Sequence, residues 1–268
     1  MKAGEERYFE SLRRWVYDRT GLYYPERKHL LLYNRLQKLC LRHGIPGLKE
    51  LDRHLRKRDL PGLEKEVAHA VSTGHSYFFR EERVFHFFRE HILPTLPTTG
   101  RHRLWSAASA SGEEAYTMAI VLTESLGFVR ARERTAILGT DIDRVMVQQA
   151  ERGVYPEQRL ENVPVHLRPR YFRRVGPGQW GVVSGLKEMC TFRRLNLMSS
   201  PWPFKSRFHV VLCRNVLYYF DVEHQRDLAE RLYDATAPGG WMLTSVTEPV
   251  QSLKTRWSTV TTGVYRKA

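Results

Sequence analysis

The sequence predicts an α/β protein in which a small all-helical domain precedes a parallel β-sheet covered by helices on both faces. Two observations predict this fold class. Residues 1–90 carry apolar side chains at helical spacing without strand-like alternation, whereas short β-rich runs alternate with helical segments from about residue 102. Strands that alternate with helices are typical of βαβ units. We therefore expect two domains, residues 1–90 and 91–268.

The helices of the first domain are predicted from apolar periodicity and from residues that interrupt it. Tyr8, Leu12 and Trp15 recur at the spacing of one helix face. Glycine and proline break the pattern at Gly21, within residues 43–47, and again beyond residue 60. This pattern predicts four or five short helices.

The second domain shows strands and helices in alternation. The segment around Gly176 and Gly178 fits neither pattern, and the apolar residues Trp180 and Val182 beside it predict a small inserted β-subdomain at about residues 168–190. We expect strands at 102–108, 136–142, 190–195, 208–213 and 241–246, and helices at 113–126, 145–152 and 222–236.

Charge and composition limit the classes of function. Lys and Arg number 43 against 29 Asp and Glu, and the net charge of +14 indicates an anionic partner, which is nucleic acid, a membrane surface or an acidic protein face. The three cysteines lie too far apart for a disulfide framework or a zinc motif, so we expect no metal. No apolar leader and no run near the roughly 18 residues of a membrane span are present. We expect a cytoplasmic protein without direct membrane insertion.

Small residues and carboxylates follow the first predicted strand. Ligands bind at the carboxyl ends of strands in parallel sheets. Residues 107–112 are small enough for the backbone to approach a ligand closely, and Glu113 and Glu114 follow them. Two acids at a helix N-terminus disfavour a phosphate and favour an amine or a sulfonium. Alternatively, the two acids only complement the helix dipole.

Polar residues also end two later strands. An acid after the second strand accepts hydrogen bonds from a ribose, or caps the next helix. Asp141 follows the strand directly, so we assign it to the ribose and Asp143 to the cap. Arg214 and Asn215 end an apolar strand, where polar side chains need partners that a cofactor would supply.

The order of these segments resembles the chemotaxis receptor methyltransferase family, CheR, over essentially the whole chain. This resemblance implies a Rossmann-like S-adenosylmethionine-dependent methyltransferase domain after the helical domain, with a small inserted β-subdomain. It also implies methyl-ester formation on glutamate side chains of chemoreceptor helices. The segments that carry it are 73–81 (TGHSYFFRE), 105–114 (WSAASASGEE), 140–143 (TDID), 196–197 (NL) and 213–221 (CRNVLYYFD).

The resemblance further implies the residues of the site. Arg80 and Tyr219 would be catalytic, because a planar guanidinium suits a carboxylate and Tyr219 would stand near the methyl group. A glutamate side chain is ionised at neutral pH, so no general base is needed. Alternatively, Arg80 pairs with a surface acid. The cofactor-binding residues would be Gly74, Ser76, Arg80, Ala107, Glu114, Asp141, Asn196, Leu197, Arg214 and Asn215.

The chain departs from the family pattern in the linker and in the β-subdomain. Gly74 and His75 stand where the family commonly has Asn and an acid, which puts one cofactor contact in doubt. The loop at residues 173–181 is short beside members that bind a receptor's C-terminal pentapeptide. We therefore expect no such tether.

A basic stripe is expected on one N-terminal helix. Arg35, Lys38 and Arg42 are spaced i, i+3 and i+7. The stripe is either a solvated helix face or a surface that binds acidic receptor helices, and the resemblance favours substrate binding. Two other functions stay open: a nucleic-acid methyltransferase, prompted by the net charge, and a module that binds S-adenosylmethionine without turnover. The resemblance makes nucleic acid an unexpected partner, and we expect a monomer.

Overall fold

The chain folds into the two predicted groups of elements, numbered here in chain order. The computed structural model describes residues 4–72, 74 and 76–268. The α-helices are α1 (Glu6–Thr20), α2 (His29–Arg42), α3 (Leu48–Lys57), α4 (Leu63–Val71), α5 (Glu82–Phe87), α6 (Glu113–Leu126), α7 (Phe128–Arg134), α8 (Arg144–Arg152), α9 (Arg168–Tyr171), α10 (Ser184–Met189) and α11 (Val222–Ala235). The strands are β1 (His102–Ser106), β2 (Thr135–Asp141), β3 (Val154–Pro156), β4 (Phe172–Gly176), β5 (Gln179–Val182), β6 (Cys190–Arg194), β7 (Phe208–Leu212), β8 (Thr236–Leu243), β9 (Ser258–Thr261) and β10 (Val264–Arg266).

Helices α1 to α4 form the N-terminal domain that the periodicity predicts. The fully buried Phe9 and Leu12 of α1 belong to the same apolar core as Leu36 of α2. Helix α1 ends at Gly21, whose φ of 73° lets its N–H donate to the Tyr17 carbonyl. A Cβ at this glycine would collide with the side chain of Met198 in the second domain. None of the helices in the described part of the chain is long and apolar enough to cross a membrane.

The second domain is built on a seven-stranded sheet with the order β6-β2-β1-β7-β8-β10-β9. The first five of these strands pair in parallel, as predicted. Strand β10, which the sequence analysis did not predict, runs antiparallel to both neighbours and makes the sheet mixed at this edge. The chain leaves β1 in one direction toward β2 and β6, then returns to place β7 on the other side of β1. Such a reversal of strand order opens a crevice at the strand ends.

Strand β8 and the last two strands differ from the sequence-based prediction for local reasons. Strand β8 begins at Thr236, whereas the sequence predicted a start at 241. Residues 237–240 have the composition of a turn, but a shift in the register between β7 and β8 accommodates them in the sheet. Strands β9 and β10 are short, and the residues of β9 are all exposed. An exposed strand has no buried face, so it lacks the alternation that predicts a strand.

Each face of the large sheet packs into its own apolar core. Leu104 and Leu212 belong to the core that α6 covers. Trp105 and Val211 point to the other face, whose core contains α11 and also the buried residues of the N-terminal helices. The N-terminal helices and this second face of the sheet therefore share one apolar core, which holds the N-terminal domain against the sheet.

The inserted β-subdomain is confirmed as a three-stranded antiparallel sheet with the order β3-β5-β4. Strands β4 and β5 form the expected hairpin within residues 168–190. The third strand, β3, lies upstream of that segment and pairs with β5 through Val154 and Gly181. Phe78 of the domain linker packs edge-on against Phe172 and Tyr155 at ring distances of 5.1 and 5.0 Å, which anchors the subdomain to the linker.

Candidate active site

A cleft of about 970 Å³, open to solvent, lies at the carboxyl ends of β1, β2, β6 and β7. From the domain linker, defined here as residues 74 and 76–81, the side chains of Ser76, Tyr77 and Arg80 line the opposite wall, together with Thr20 at the end of α1. The structure brings together every residue that the sequence analysis assigned to the cofactor or to catalysis; their individual roles stay predictions. The lining includes Gly74, Ser76, Arg80, Ala107, Glu114, Asp141, Asn196, Leu197, Arg214, Asn215 and Tyr219.

Asp141 holds the loop that follows β1. Its Oδ2 accepts a hydrogen bond from the Ala110 N–H and its Oδ1 from the Asp143 N–H, both at 2.9 Å. Ala110 has a left-handed φ of 45°, so this loop needs such an anchor. Burial raises the pKa of Asp141 to about 6, and its carboxylate is therefore largely ionised at pH 7. Each oxygen keeps lone-pair capacity for a further donor from a ligand.

Asp143 caps α8, as predicted. Its Oδ1 accepts a hydrogen bond from the Val145 N–H at 2.9 Å. Its Oδ2 contacts Nδ1 of His69, which α4 contributes from the N-terminal domain. The cap is thus also a tie between the two domains beside the cleft.

Glu114 and the buried Arg214 form a partly buried ion pair on the cleft wall. Arg214 Nη1 lies 2.9 Å from Glu114 Oε2, and Ser106 Oγ donates to Glu114 Oε1 at 2.7 Å. Arg214 Nη2 donates to the Arg80 carbonyl at 2.5 Å. The side chain of Arg214 is only 1% exposed, yet its Nε has no hydrogen-bond partner among the described residues. A buried donor of this kind is a place where a ligand acceptor fits.

The neighbouring Glu113 has a different environment, although the sequence analysis treated the two acids as a pair. It is fully buried, is absent from the cleft lining and accepts hydrogen bonds from Ser111 Oγ at 2.8 Å. Arg159 lies 3.5 Å away. Burial raises the pKa of Glu113 above its usual value despite these partners. Of the two acids, Glu114 alone faces the cleft.

Two carboxylates that the sequence analysis missed hold the loop after β7. Glu248 is buried, and its Oε2 accepts the Asn215 N–H at 2.6 Å; Glu81 Oε1 accepts Asn215 Nδ2 at 3.1 Å. Glu248 Oε1 also lies 3.4 Å from the Tyr218 N–H. Asn215 has a left-handed φ of 58°, which these contacts stabilise. Glu81 is the last residue of the FFRE segment, residues 78–81, which carries part of the family resemblance. No motif in the sequence analysis includes Glu248.

Tyr219 lies at the cleft mouth within a small aromatic cluster. Its ring centroid is 4.4 Å from that of Tyr218, and the Tyr218 hydroxyl donates to the Tyr219 hydroxyl at 3.3 Å. The Lys28 ammonium lies 5.7 Å from the ring centroid of Tyr219 and 5.9 Å from that of Tyr218. Sequence reasoning did not find Lys28, because only the packing of the N-terminal domain brings it here.

The linker contributes Gly74, Ser76 and Arg80 to the cleft. A Cβ at Gly74 would lie 2.7 Å from Sδ of Met146, so a larger residue there requires Met146 to move. The guanidinium of Arg80 lies 5.6 Å from the centroid of the Tyr77 ring. Thr73 and His75, which the sequence analysis also quoted, lie outside the described residues.

The side chain of Asn196 is engaged within the protein. Its Nδ2 donates to the Arg19 carbonyl at 2.8 Å, and its Oδ1 accepts the Met198 N–H at 2.9 Å. Asn196 therefore joins the end of α1 to the loop after β6. The adjacent Leu197 is buried, and its carbonyl accepts from Arg231 at 2.8 Å.

The three residues of the expected basic stripe do not share one solvent-facing surface. Arg35 Nη1 donates to Tyr24 Oη at 3.0 Å and to the Val71 carbonyl at 2.5 Å, so its guanidinium braces the end of α4 behind the cleft wall. Lys38 and Arg42 are exposed on α2. Arg35 therefore takes part in the packing of α2 against α4, and the assignment of the three residues to substrate binding stays a prediction.

Comparisons with known proteins cover nearly the whole chain. The model "CheR methyltransferase, all-alpha domain" matches residues 7–72, and "CheR methyltransferase, SAM binding domain" matches residues 74–266. The chemotaxis protein methyltransferase of Borreliella burgdorferi is 34% identical over 245 residues, covering 89% of this chain and 87% of that protein. Chemotaxis protein methyltransferase 2 of Pseudomonas aeruginosa is 34% identical over 235 residues, with coverages of 87% and 82%. The Escherichia coli chemotaxis protein methyltransferase is 28% identical over 260 residues, with coverages of 96% and 89%.

Proposed function

The chain belongs to the CheR family of chemotaxis methyltransferases, and from this membership we propose how the residues of its cleft take part in the reaction. It is an S-adenosylmethionine-dependent protein-glutamate methyltransferase that acts on chemoreceptors. The predicted activity as a chemotaxis methyltransferase is confirmed, whereas recognition without a pentapeptide tether stays a prediction. The alternatives, a nucleic-acid methyltransferase and a non-catalytic binding module, find no support in these matches.

We propose that the strand-end wall of the cleft holds S-adenosylmethionine. The small residues Ala107 and Ala108 leave room for the ligand against the backbone. Glu114 would accept from the amino group of the cofactor and Asp141 from its ribose hydroxyls, while the buried Arg214 Nε, which lacks a partner among the described residues, suits its carboxylate. When bound, the cofactor supplies an electrophilic methyl group on a sulfonium.

The receptor glutamate enters as a nucleophile that is already ionised, because a free glutamate has a pKa of about 4.3. The protein therefore needs to align the carboxylate rather than deprotonate it. We assign this alignment to Arg80, whose planar guanidinium can hold a carboxylate, and to the Tyr219 hydroxyl. The observation that carries the proposal is the convergence of Arg80, Arg214 and Tyr219 on one cleft with Glu114 and Asp141.

Receptor docking is assigned to the exposed face of α2 and to the mouth of the cleft. Lys38, Arg42 and Lys28 supply positive charge that complements acidic receptor helices. A short turn after Gly176 joins β4 and β5, which supports recognition without a C-terminal pentapeptide tether. We propose that the protein acts as a monomer in the cytoplasm.

Methyl-labelled S-adenosylmethionine tests the substrate assignment. The protein is incubated with cytoplasmic receptor fragments and, in parallel, with RNA. The expected result is label on the receptor that base treatment releases, as for a methyl ester. Label on RNA, or no transfer by a protein that binds the cofactor, contradicts the proposal.

A further inference from the structure

The linker between the domains contains two strained residues on either side of Arg80. Phe79 and Glu81 have φ values of 57° and 55°, in the left-handed region that residues with a Cβ rarely adopt. Strain of this kind persists only where the surrounding contacts over-determine the backbone. The direction of Arg80 therefore depends on whatever holds its two neighbours.

The first strained residue is held by the β-subdomain and by α6. The Phe79 N–H donates to Oγ1 of the buried Thr117 at 3.1 Å. The preceding Phe78 is fully buried between the rings of Tyr155 and Phe172. These contacts hold the backbone on the N-terminal side of Arg80.

The second strained residue, Glu81, is held through its own carboxylate. Oε1 accepts hydrogen bonds from Asn215 Nδ2 at 3.1 Å and from Ser245 Oγ at 2.9 Å. Oε2 lies 3.4 Å from the Val246 nitrogen and 3.6 Å from Arg214 Nη2. One side chain of the linker thus bridges the loops that follow β7 and β8.

The charge state of Glu81 suits this bridge. Burial opposes its ionisation, but the Arg214 guanidinium and the hydrogen bonds from Asn215, Ser245 and Val246 outweigh that effect and hold its pKa below the usual value. The carboxylate is therefore ionised at neutral pH and accepts from every one of these donors.

Glu81 does not line the cleft, whereas its neighbour Arg80 and its partners Arg214 and Asn215 do. We propose that Glu81 is a positioning residue for methyl transfer, which holds the strained turn against the ends of β7 and β8 and so directs Arg80 toward the receptor carboxylate. This inference rests on the role proposed above for Arg80. The Arg80 carbonyl, bound by Arg214, provides the second point of attachment.

The test compares Glu81→Gln with Glu82→Gln, an exposed glutamate at the first position of α5. Glutamine keeps the size of the side chain but replaces one acceptor oxygen with an NH₂ group, which cannot accept from Val246 or Arg214. We expect kcat for receptor methylation to fall at least about tenfold in Glu81→Gln, with the Kd for S-adenosylhomocysteine changed less than about threefold. Glu82→Gln should match the wild type. A Glu81→Gln variant with wild-type kcat overturns the inference.

A double variant separates positioning from a general structural role. If Glu81 acts through Arg80, adding Glu81→Gln to Arg80→Ala should lower kcat by less than about threefold further, because coupled residues are not additive. Independent, multiplicative losses overturn the inference. If Arg80→Ala itself keeps wild-type kcat, the role proposed for Arg80 fails and the inference fails with it.

Amide hydrogen exchange tests the anchoring without any methyl transfer. In the free protein, Glu81→Gln should accelerate exchange at residues 79–84 at least about tenfold, because the turn opens more often. Glu82→Gln should leave these rates unchanged. Unchanged exchange in Glu81→Gln shows that the carboxylate does not hold the turn, whatever the outcome for Arg80.

Discussion

The two walls of the cleft are held together in different ways. The wall at the ends of β1 and β2 is tied mainly by backbone N–H groups, since Asp141 accepts from Ala110 and Asp143. The opposite wall depends on side chains from distant parts of the chain, with Glu81 bonded to Asn215 across 134 residues. The strand-end wall, which we assign to the cofactor, is therefore largely a property of the sheet. The linker wall, which we assign to the receptor glutamate, requires the correct packing of both domains.

The largest effect is expected for Arg80→Ala on the linker wall. If the linker wall serves the chemical step, kcat should fall about 100-fold or more, as for loss of one group that orients or stabilises the reacting charge. The Kd for S-adenosylhomocysteine, measured by calorimetry, should change far less, because the strand-end wall remains intact. Arg80→Lys, which keeps the charge but not the planar fork, should recover only part of the activity. Normal turnover in Arg80→Ala would remove Arg80 from the reaction.

The strand-end wall is tested by Asp141→Asn. We expect the Kd for S-adenosylhomocysteine to rise about tenfold, because one acceptor oxygen is replaced by a donor that faces a backbone N–H. Asp227→Asn, an exposed change on α11, serves as the matched control. Wild-type affinity in Asp141→Asn would refute the assignment of Asp141 to the ribose.

The same residue predicts a pH dependence. Burial raises the pKa of Asp141 to about 6, so its carboxyl group becomes protonated in the folded protein as the pH falls below that value. Protonation removes an acceptor, and affinity for S-adenosylhomocysteine should weaken between pH 7.5 and pH 5. Calorimetry across this range should show the change in the wild type and a flatter profile in Asp141→Asn. A flat wild-type profile contradicts the prediction.

Gly74→Asn tests the packing where the two walls of the cleft meet. A Cβ at this position would lie 2.7 Å from Met146 Sδ, so the larger side chain overpacks the cleft wall. We expect the Kd for S-adenosylhomocysteine to rise about threefold. Met146→Ala should restore the affinity of Gly74→Asn, because it removes the colliding atoms. Equal affinity of Gly74→Asn and the wild type would show that Met146 moves aside without cost.

The smallest effect is expected on the outer surface of α2. Replacing Lys38 and Arg42 together by Ala should raise the receptor KM about threefold at low salt, while kcat and cofactor affinity stay unchanged. The exposed Lys49 and Lys57 of α3 provide a control pair with the same loss of charge. If both pairs raise KM equally, the effect comes from net charge rather than from a docking surface.

Much of the fold was predictable because its signals are local. The helix predicted at 113–126 is α6, and strands were expected within a few residues of β1, β2, β6 and β7. Strand β3 was missed because it is only three residues long. The cap at Asp143 was predictable because the capping bond spans two residues.

The candidate site was predictable only where its residues stand at the ends of strands. Asp141 and Arg214 could be recognised from their place after apolar runs, because parallel strands end at one edge of a sheet. Lys28 and Glu248 could not, because no local spacing relates them to the cleft. The hydrogen bonds of Arg35 could not be predicted, because helical spacing indicates a shared face but does not say that α4 packs beside it.

The amino-acid sequence by itself determined the alternation of elements, the order in which polar residues end the strands, and thus the kind of cleft and chemistry. The resemblance already favoured Glu114 over Glu113 as a ligand of the cofactor, but only the packed structure shows that Glu113 is buried away from the cleft and which distant carboxylates hold Asn215. The physical reason is the range of the interactions. Periodicity and capping act over a few residues, whereas burial, ion pairing and the strain at Phe79 and Glu81 depend on surfaces that meet only after the domains have packed.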